Sequence, residues 1–141
     1  MSKESYSTIF TGGMAFETEI DGHIVKVDAD PKFGGEGSGP KPKPLVLNAL
    51  TGCTGMDVVS LLKKMRVEFS DFEINIDAEM TEEHPKNYNK IHLTYNIKAN
   101  EIDRAKVEKA VNYSQERYCG VSFMLSKSAE LTYEINLQPM S

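Results

Sequence analysis

Two cysteines, Cys53 and Cys119, carry the clearest redox chemistry in this chain of 141 residues. Cys53 lies in the apolar stretch LNALTGCTGMDVV, and Cys119 lies in ERYCGVSF towards the other end of the chain. A thiolate is a nucleophile that can be oxidised and can then form a disulfide with a second thiol. A cysteine can equally serve as a small apolar core residue. The spacing of the two residues leaves both interpretations open.

Two glycines bracket the first cysteine. Gly52 and Gly55 lie in a helical pattern, where each glycine costs about 1 kcal/mol relative to alanine. They either allow another helix to approach closely or clear access to the Cys53 thiol. Asp57 follows Cys53 by one helical turn on the same face, where a carboxylate raises the pKa of a thiol. A reactive Cys53 therefore needs a nearby cation, or an Asp57 that is held by another group.

The surroundings of Cys119 depend on where the neighbouring helices end and begin. If Cys119 ends the helix that precedes it, the negative end of the helix dipole disfavours a thiolate. If it opens the next helical turn, the positive end favours one. The sequence leaves both placements open.

The pattern of apolar residues predicts an α+β fold in a single domain, residues 1–141. Strands such as FEINIDAEM and IHLTYNIKA alternate apolar with polar residues, and Asp21-Gly22 predicts a tight hairpin, so pairing is mainly antiparallel. The predicted elements are N-terminal strands in 1–30, a Gly/Pro/Lys loop at 31–43, a central helix at 44–66, a strand hairpin at 71–99, a second helix at 103–118 and a last strand at 130–137.

The predicted central helix is apolar over much of its circumference, and one sheet cannot cover such a helix. We therefore predict a homo-oligomer in which a second copy covers the remainder. A net charge of −5 argues against a nucleic-acid surface, and the N-terminus lacks a secretory signal. No apolar run indicates a membrane span, so we expect a cytoplasmic protein without a membrane partner. Two cysteines and three histidines show no zinc-ligand spacing, so we expect no metal.

The segments PKPLVLNALTGCTGMDVVSLLKKM and ERYCGVSFML resemble the OsmC/Ohr family of osmotically inducible and organic-hydroperoxide-resistance proteins, and within it the uncharacterised OsmC-like branch. The resemblance implies an intertwined homodimer in which antiparallel sheets wrap central helices that bear the reactive cysteines. It implies that Cys53 attacks an organic hydroperoxide and that Cys119 resolves the product as a disulfide. A dithiol would then reduce that disulfide, and no cofactor is expected.

The sequence departs from the peroxidases of that family at two positions. Met14 follows the Gly-Gly of the first hairpin, where those proteins carry an arginine that activates the thiolate. Lys43 stands ten residues before Cys53, where they carry the glutamate that orients this arginine. Either Lys43 or Lys41 supplies the positive charge instead, or the peroxidase activity has been lost.

These observations favour a thiol-dependent redox protein, most simply an organic hydroperoxide reductase that acts in oxidative stress through Cys53 and Cys119. The alternative is a non-catalytic module that binds a small ligand beside Cys53. For the peroxidase, a thiolate paired with Lys43 or Lys41 predicts a Cys53 pKa below the free-thiol value of about 8.5.

Overall fold

The computed structural model describes residues 2–140 and divides into two compact units, the first extending to Asn48 and the second beginning at Ala49. The predicted α+β class is confirmed, and the prediction of a single domain stays a prediction. The elements in chain order are β1 (Thr8–Gly12), β2 (Ala15–Ile20), β3 (His23–Val27), α1 (Pro42–Lys64), β4 (Phe69–Met80), β5 (Tyr88–Ala99), α2 (Arg104–Tyr113), α3 (Gly120–Leu125) and β6 (Glu130–Gln138).

The first unit contains an antiparallel sheet in the order β1-β2-β3. The hairpin predicted at Asp21-Gly22 is confirmed, since both residues adopt positive φ angles of 51° and 80°, as a two-residue hairpin turn with a right-handed twist requires. Several apolar side chains of this sheet and its turns are exposed within the chain. They are Ile9, Phe10, Met14, Phe16 and Ile24.

The loop that follows β3 is closed by the buried carboxylate of Asp28. It accepts hydrogen bonds from the Ser38 hydroxyl at 2.7 Å and from the backbone N–H groups of Ala29, Glu36 and Ser38. These bonds, the Ser38 hydroxyl first among them, hold the pKa of Asp28 well below its usual range. Gly35 packs so closely that a Cβ there would overlap the Ala29 carbonyl oxygen. The Gly/Pro/Lys loop is therefore an ordered structure.

The second unit contains a sheet in the order β4-β5-β6. Strand β5 pairs antiparallel with β4 but parallel with β6, which corrects the expectation of antiparallel sheets at this pair. The chain leaves β5 and returns to β6 through helices, and such a crossover places two strands parallel. The alternation predicted for the central strand is confirmed, because its inward residues are buried. They are Ile91, Leu93, Tyr95, Ile97 and Ala99.

Helix α1 begins two residues earlier than predicted, and only one narrow stripe of it is buried within the chain. That stripe repeats every four residues and consists of Leu50, Thr54, Val58 and Leu62. Elsewhere on the helix Met56 is 76% exposed and Val46 is 39% exposed. The chain thus leaves much of the apolar circumference of α1 uncovered.

Helix α1 is also long and apolar enough to cross a membrane, which corrects the expectation that no segment has this property. The core helix of a soluble protein passes the same test. Two of its side chains, Thr54 and Asp57, make hydrogen bonds to residues of other elements, as a helix packed inside a protein does. Length and composition are therefore weak evidence for a membrane span here.

The close approach in the loop after β3 predicts the effect of adding one methyl group. Gly35→Ala should lower the free energy of unfolding by about 3 kcal/mol or more, because backbone atoms rather than a flexible side chain must move. Chemical denaturation followed by circular dichroism measures this change. Gly120→Ala is the control, since a Cβ there meets no atom within 4 Å. Equal stability of the two variants would contradict the ordered loop.

Candidate functional site

The fold brings together the two cysteines that the sequence singled out. The sulfur atoms of Cys53 and Cys119 and a carboxylate oxygen of Asp57 all lie within 4.8 Å of one another. Both cysteines are free thiols. Cys53 is half-buried on α1, whereas Cys119 is 3% exposed. The more accessible thiol therefore lies beside a protected one.

The break between the helices that follow β5 determines the position of Cys119. The predicted second helix ends as α2 at Tyr113, continues as one π-helical turn over Ser114–Tyr118 and stops at Cys119, which is extended with φ −78° and ψ 101°. Helix α3 starts at Gly120, and the Cys119 sulfur accepts a hydrogen bond from the Ser122 N–H at 3.3 Å. Of the two placements left open by the sequence, Cys119 opens the next helical turn.

The pKa of the Cys53 thiol is raised above its ordinary value. Burial is the largest cause, followed by the hydrogen bond with the Cys119 side chain, while the negative charge of Asp57 acts in the same direction. The Val121 N–H donates a hydrogen bond to Cys53 and partly opposes them. The prediction of a depressed pKa for Cys53 is therefore wrong for the chain as folded. The effect expected from Asp57 is present, and it is the smallest of these causes.

Asp57 is held by a buried row of hydrogen-bonded side chains. Because a carboxylate only accepts, the Ser114 hydroxyl donates to Asp57 Oδ2 at 3.0 Å. Ser114 then accepts from Thr54 Oγ1 at 2.7 Å, and Thr54 accepts from the Tyr95 hydroxyl at 2.6 Å. The Gln115 amide donates to the Tyr95 oxygen at 2.5 Å. We call these five residues the hydroxyl chain; each hydroxyl in it donates one bond towards the carboxylate.

Sequence reasoning recognised only Asp57 among these residues. Thr54 lies in the predicted central helix and Ser114 in the predicted second helix, and neither of them is assigned a polar role from the sequence. Both are fully buried, as is Tyr95. The sequence does contain one signal for this role, a threonine and a serine at core positions of two predicted helices. A buried hydroxyl requires a hydrogen-bond partner, so such residues predict a polar contact between the helices.

The glycines beside Cys53 have different surroundings. A Cβ on Gly55 would lie 3.3 Å from the Ile74 side chain of β4, so this glycine permits close packing. A Cβ on Gly52 would meet no atom within 4 Å, so the described chain gives Gly52 no packing partner. Close packing within the chain is therefore seen at Gly55, whereas the role of Gly52 stays a prediction.

An open cleft of about 530 Å³ borders Cys119. The rings of Tyr118 and Phe123 and the charged side chain of Arg117 contribute to its wall. Ser122 also lines it, and the buried Ser122 hydroxyl has no hydrogen-bond partner among the described residues. The cleft thus offers apolar surface and a cation beside the protected thiol.

The proposed activating residues belong to the first unit, whereas Cys53 belongs to the second. Lys41 immediately precedes α1, Lys43 lies in its first turn and Met14 lies in the β1–β2 turn. The activating role of Lys41 or Lys43 stays a prediction.

The element order and the paired thiols define an OsmC-like protein. A family model described as OsmC-like protein matches residues 35–134, and the chain belongs to this family. It is 35% identical to Protein YhfA of Escherichia coli (strain K12) over 123 residues, which cover 86% of this chain and 88% of that protein. The resemblance inferred from the two cysteine segments is confirmed.

Solved structures agree with this assignment. A hypothetical protein from Aquifex aeolicus VF5 superimposes with a TM-score of 0.80 at 26% identity, covering 98% of this chain and 99% of that one. An organic hydroperoxide resistance protein OsmC from Legionella pneumophila superimposes with a TM-score of 0.65 at 14% identity, covering 96% and 99%. The second likeness concerns the fold alone.

The crowding of the site predicts a slow thiol at neutral pH. Since its pKa is raised, Cys53 holds less thiolate at pH 7 than a free cysteine does, and its alkylation by iodoacetamide should titrate above about 8.5. Asp57→Asn should move this titration to lower pH, because it removes a neighbouring negative charge while leaving an acceptor for Ser114. The measurement is the rate of Cys53 alkylation against pH in the reduced protein with Cys119 retained and a metal chelator present, with Cys53 followed by peptide mass spectrometry.

Asp77→Asn provides the matched control for that titration. Asp77 is an exposed carboxylate on β4 of the same unit, and its neutralisation should leave the Cys53 titration unchanged. A Cys53 pKa below about 8.5 in the parent protein would show that a group outside these contacts stabilises the thiolate.

Proposed function

We propose that this chain is a thiol-dependent peroxidase that reduces organic hydroperoxides, with Cys53 as the nucleophile and Cys119 as the resolving thiol. The observation that carries the proposal is the approach of the two free sulfurs to within 4.8 Å, although they are far apart in sequence. Their unequal exposure supports the assignment of roles, because the half-buried Cys53 is the one a substrate reaches first.

The reaction proceeds in two steps on these sulfurs. The Cys53 sulfur attacks the terminal oxygen of the hydroperoxide and the O–O bond breaks, which yields a sulfenic acid and an alcohol. The proton lost by the thiol ends on the alcohol oxygen. The Cys119 thiol then attacks the sulfenic sulfur, a disulfide forms and water leaves. Closing that bond brings the sulfurs to about 2.05 Å, so the side chains must move together.

A dithiol reductant completes the cycle by thiol–disulfide exchange and is itself oxidised to a disulfide. The cleft that borders Cys119 supports this step, since it is open and large enough to admit a small molecule. Two structural neighbours, from Legionella pneumophila and Elizabethkingia anophelis, carry the name organic hydroperoxide resistance protein. Their names support the substrate class that we propose for this chain.

Activation of Cys53 must overcome the raised pKa of its thiol. We assign this task to Lys43 or Lys41, in place of the arginine whose position Met14 occupies. Lysine supplies a point charge rather than a planar pair of donors, so it favours a thiolate but orients a peroxide less well than arginine. A slower reaction than that of the arginine-bearing peroxidases follows.

A second candidate function is a non-catalytic module that binds a small ligand beside Cys53. The raised pKa of Cys53 favours it, because a neutral thiol is a poor nucleophile. The replacement of the arginine and glutamate pair by Met14 and Lys43 points the same way. The two candidates differ in one observable, the covalent reaction of Cys53 with peroxide.

The homodimer is part of the proposal. The first sheet and α1 each expose large apolar side chains, including Phe10 and Met56. Exposed apolar patches on a soluble protein often mark an interface with another chain. A second copy would cover them. An interface of interleaved chains buries more than about 2,000 Å² in total.

Peroxide oxidation separates the two candidate functions. Cumene hydroperoxide should convert the parent protein to a form that has lost two thiols and carries one disulfide. In Cys119→Ser no resolving thiol remains, so Cys53 should progress to a sulfinic acid and gain the mass of two oxygen atoms. Thiol titration and intact mass spectrometry measure both outcomes.

Two further variants complete this test. Cys53→Ser should remain unmodified under the same treatment, and Lys43→Met should react more slowly at neutral pH if Lys43 supplies the charge. An unchanged thiol content of the parent protein, together with no mass gain in Cys119→Ser under excess peroxide, would exclude the peroxidase and leave the binding module.

The empty space beside Gly52 tests the dimer. In an isolated chain, Gly52→Ala should stabilise α1 by about 1 kcal/mol, because nothing lies within 4 Å of the added Cβ. If a second copy covers this face, the methyl group meets the partner, and we expect no gain. Denaturation combined with sedimentation equilibrium measures both properties. A more stable variant of a monomeric protein would contradict the dimer.

A further inference from the structure

We propose that reduced Cys53 and Cys119, together with Asp57, form a binding site for a divalent cation of the zinc type. This inference goes beyond the peroxidase and does not require it. Among residues 2–140 these three form the one cluster of cysteine, histidine and carboxylate groups whose ligand atoms converge within 4.8 Å. Cys53 and Asp57 come from successive turns of α1 and Cys119 immediately precedes α3, so no contiguous sequence motif reveals them.

The separations fit metal ligation after a small contraction. Zinc binds sulfur at about 2.3 Å and carboxylate oxygen at about 2.0–2.2 Å, which places two tetrahedral sulfur ligands about 3.8 Å apart. All three separations lie within 4.8 Å, so none exceeds that value by more than about 1 Å. Rotation about the side-chain bonds of Cys53 and Asp57, both only half-buried, can supply such a change.

Each of the three ligands already has a supporting hydrogen bond. The Val121 N–H donates to Cys53, the Ser122 N–H donates to the Cys119 sulfur at 3.3 Å, and the Ser114 hydroxyl donates to Asp57 at 3.0 Å. Metal ligands in proteins are oriented by outer partners of this kind. The hydroxyl chain thereby fixes the carboxylate that faces the two sulfurs.

The donor set identifies the class of cation. Two thiolates and one carboxylate suit zinc and its spectroscopic substitutes cobalt and cadmium, whereas magnesium and calcium prefer oxygen ligands alone. Three protein ligands leave a fourth position for water or a small ligand. The three groups together carry negative charge when ionised, and a divalent cation offsets most of it.

Metal binding and disulfide formation exclude each other at this site. The cation holds both sulfurs as thiolates and releases their protons on binding, whereas a disulfide has no thiolate to offer. A bound cation therefore protects the thiol pair, and oxidation of the pair by a hydroperoxide releases the cation.

The test is an anaerobic titration of the full-length, reduced, metal-free protein with cobalt(II). We expect one cation per chain, a thiolate-to-cobalt charge-transfer band and the visible bands of tetrahedral cobalt, all displaced by zinc and unaffected by magnesium. Protein oxidised beforehand to the disulfide should show none of these bands.

Variants assign the ligands. Cys53→Ser and Cys119→Ser should each lose the charge-transfer band of a dithiolate site. Asp57→Asn should weaken cobalt binding at least about tenfold, and Ser114→Ala, which removes a hydrogen bond from the carboxylate, about ten- to a hundredfold. Asp77→Asn, which changes an exposed carboxylate of the same unit, should bind as the parent does.

Absence of a stoichiometric thiolate–cobalt band in the reduced protein would overturn the site. An unchanged affinity in Asp57→Asn would overturn the three-ligand assignment. If circular dichroism shows that Asp57→Asn does not fold, the cobalt affinity of Ser114→Ala is measured instead. An unchanged affinity in that variant would overturn the role of the carboxylate. Peroxide oxidation of the metal-free protein, read by mass, reports the proposed peroxidase separately, so either proposal can fail alone.

Discussion

The candidate site depends on one physical constraint, that hydroxyl groups buried at the centre of the second unit must pair with one another. Thr54, Tyr95 and Ser114 come from three different elements and are fully buried. A buried hydroxyl left without a hydrogen bond costs about 1–3 kcal/mol. Each hydrogen bond between two of these hydroxyls therefore constrains how the two elements that carry them pack together. The row ends at a carboxylate beside two thiols. The buried hydroxyls of the unit and the two thiols are therefore connected by one continuous row of hydrogen bonds and contacts.

This constraint also explains why a π-helical turn interrupts the helix before Cys119. The wider turn over Ser114–Tyr118 contributes both Ser114 and Gln115 to the hydroxyl chain. It then releases the backbone into the extended conformation of Cys119. A π-helical turn is rare and is found mostly where function requires a local change of helix geometry. Here the change of geometry places Cys119 at the start of α3, which a continuous helix would not do.

Much of the fold follows from the sequence, because alternation and helical periodicity are local. The inward face of β5, the Asp21-Gly22 hairpin and the uncovered circumference of α1 all follow from residues near in sequence. The parallel pairing of β5 with β6 does not, since it depends on the path of the chain between them. The pairing of Cys53 with Cys119 was implied by the resemblance, whereas Thr54 and Ser114 were missed because their polar role exists only once α1 packs against the π-helical turn. The direction of the Cys53 pKa was wrong because burial and the neighbouring Cys119 side chain outweigh the hydrogen bond from the Val121 N–H.

The parallel pairing of the last strand has a consequence for how the molecule is assembled. Register partners such as Lys90 and Glu130 are separated by the whole helical crossover, so this half of the sheet forms through long loop closure. Until β6 arrives, one edge of β5 presents unpaired N–H and C=O groups, a template for pairing with another chain. During synthesis both cysteines leave the ribosome before the strand that completes their sheet. Folding of this protein thus passes through a stage at which an open edge and two unprotected thiols are present together.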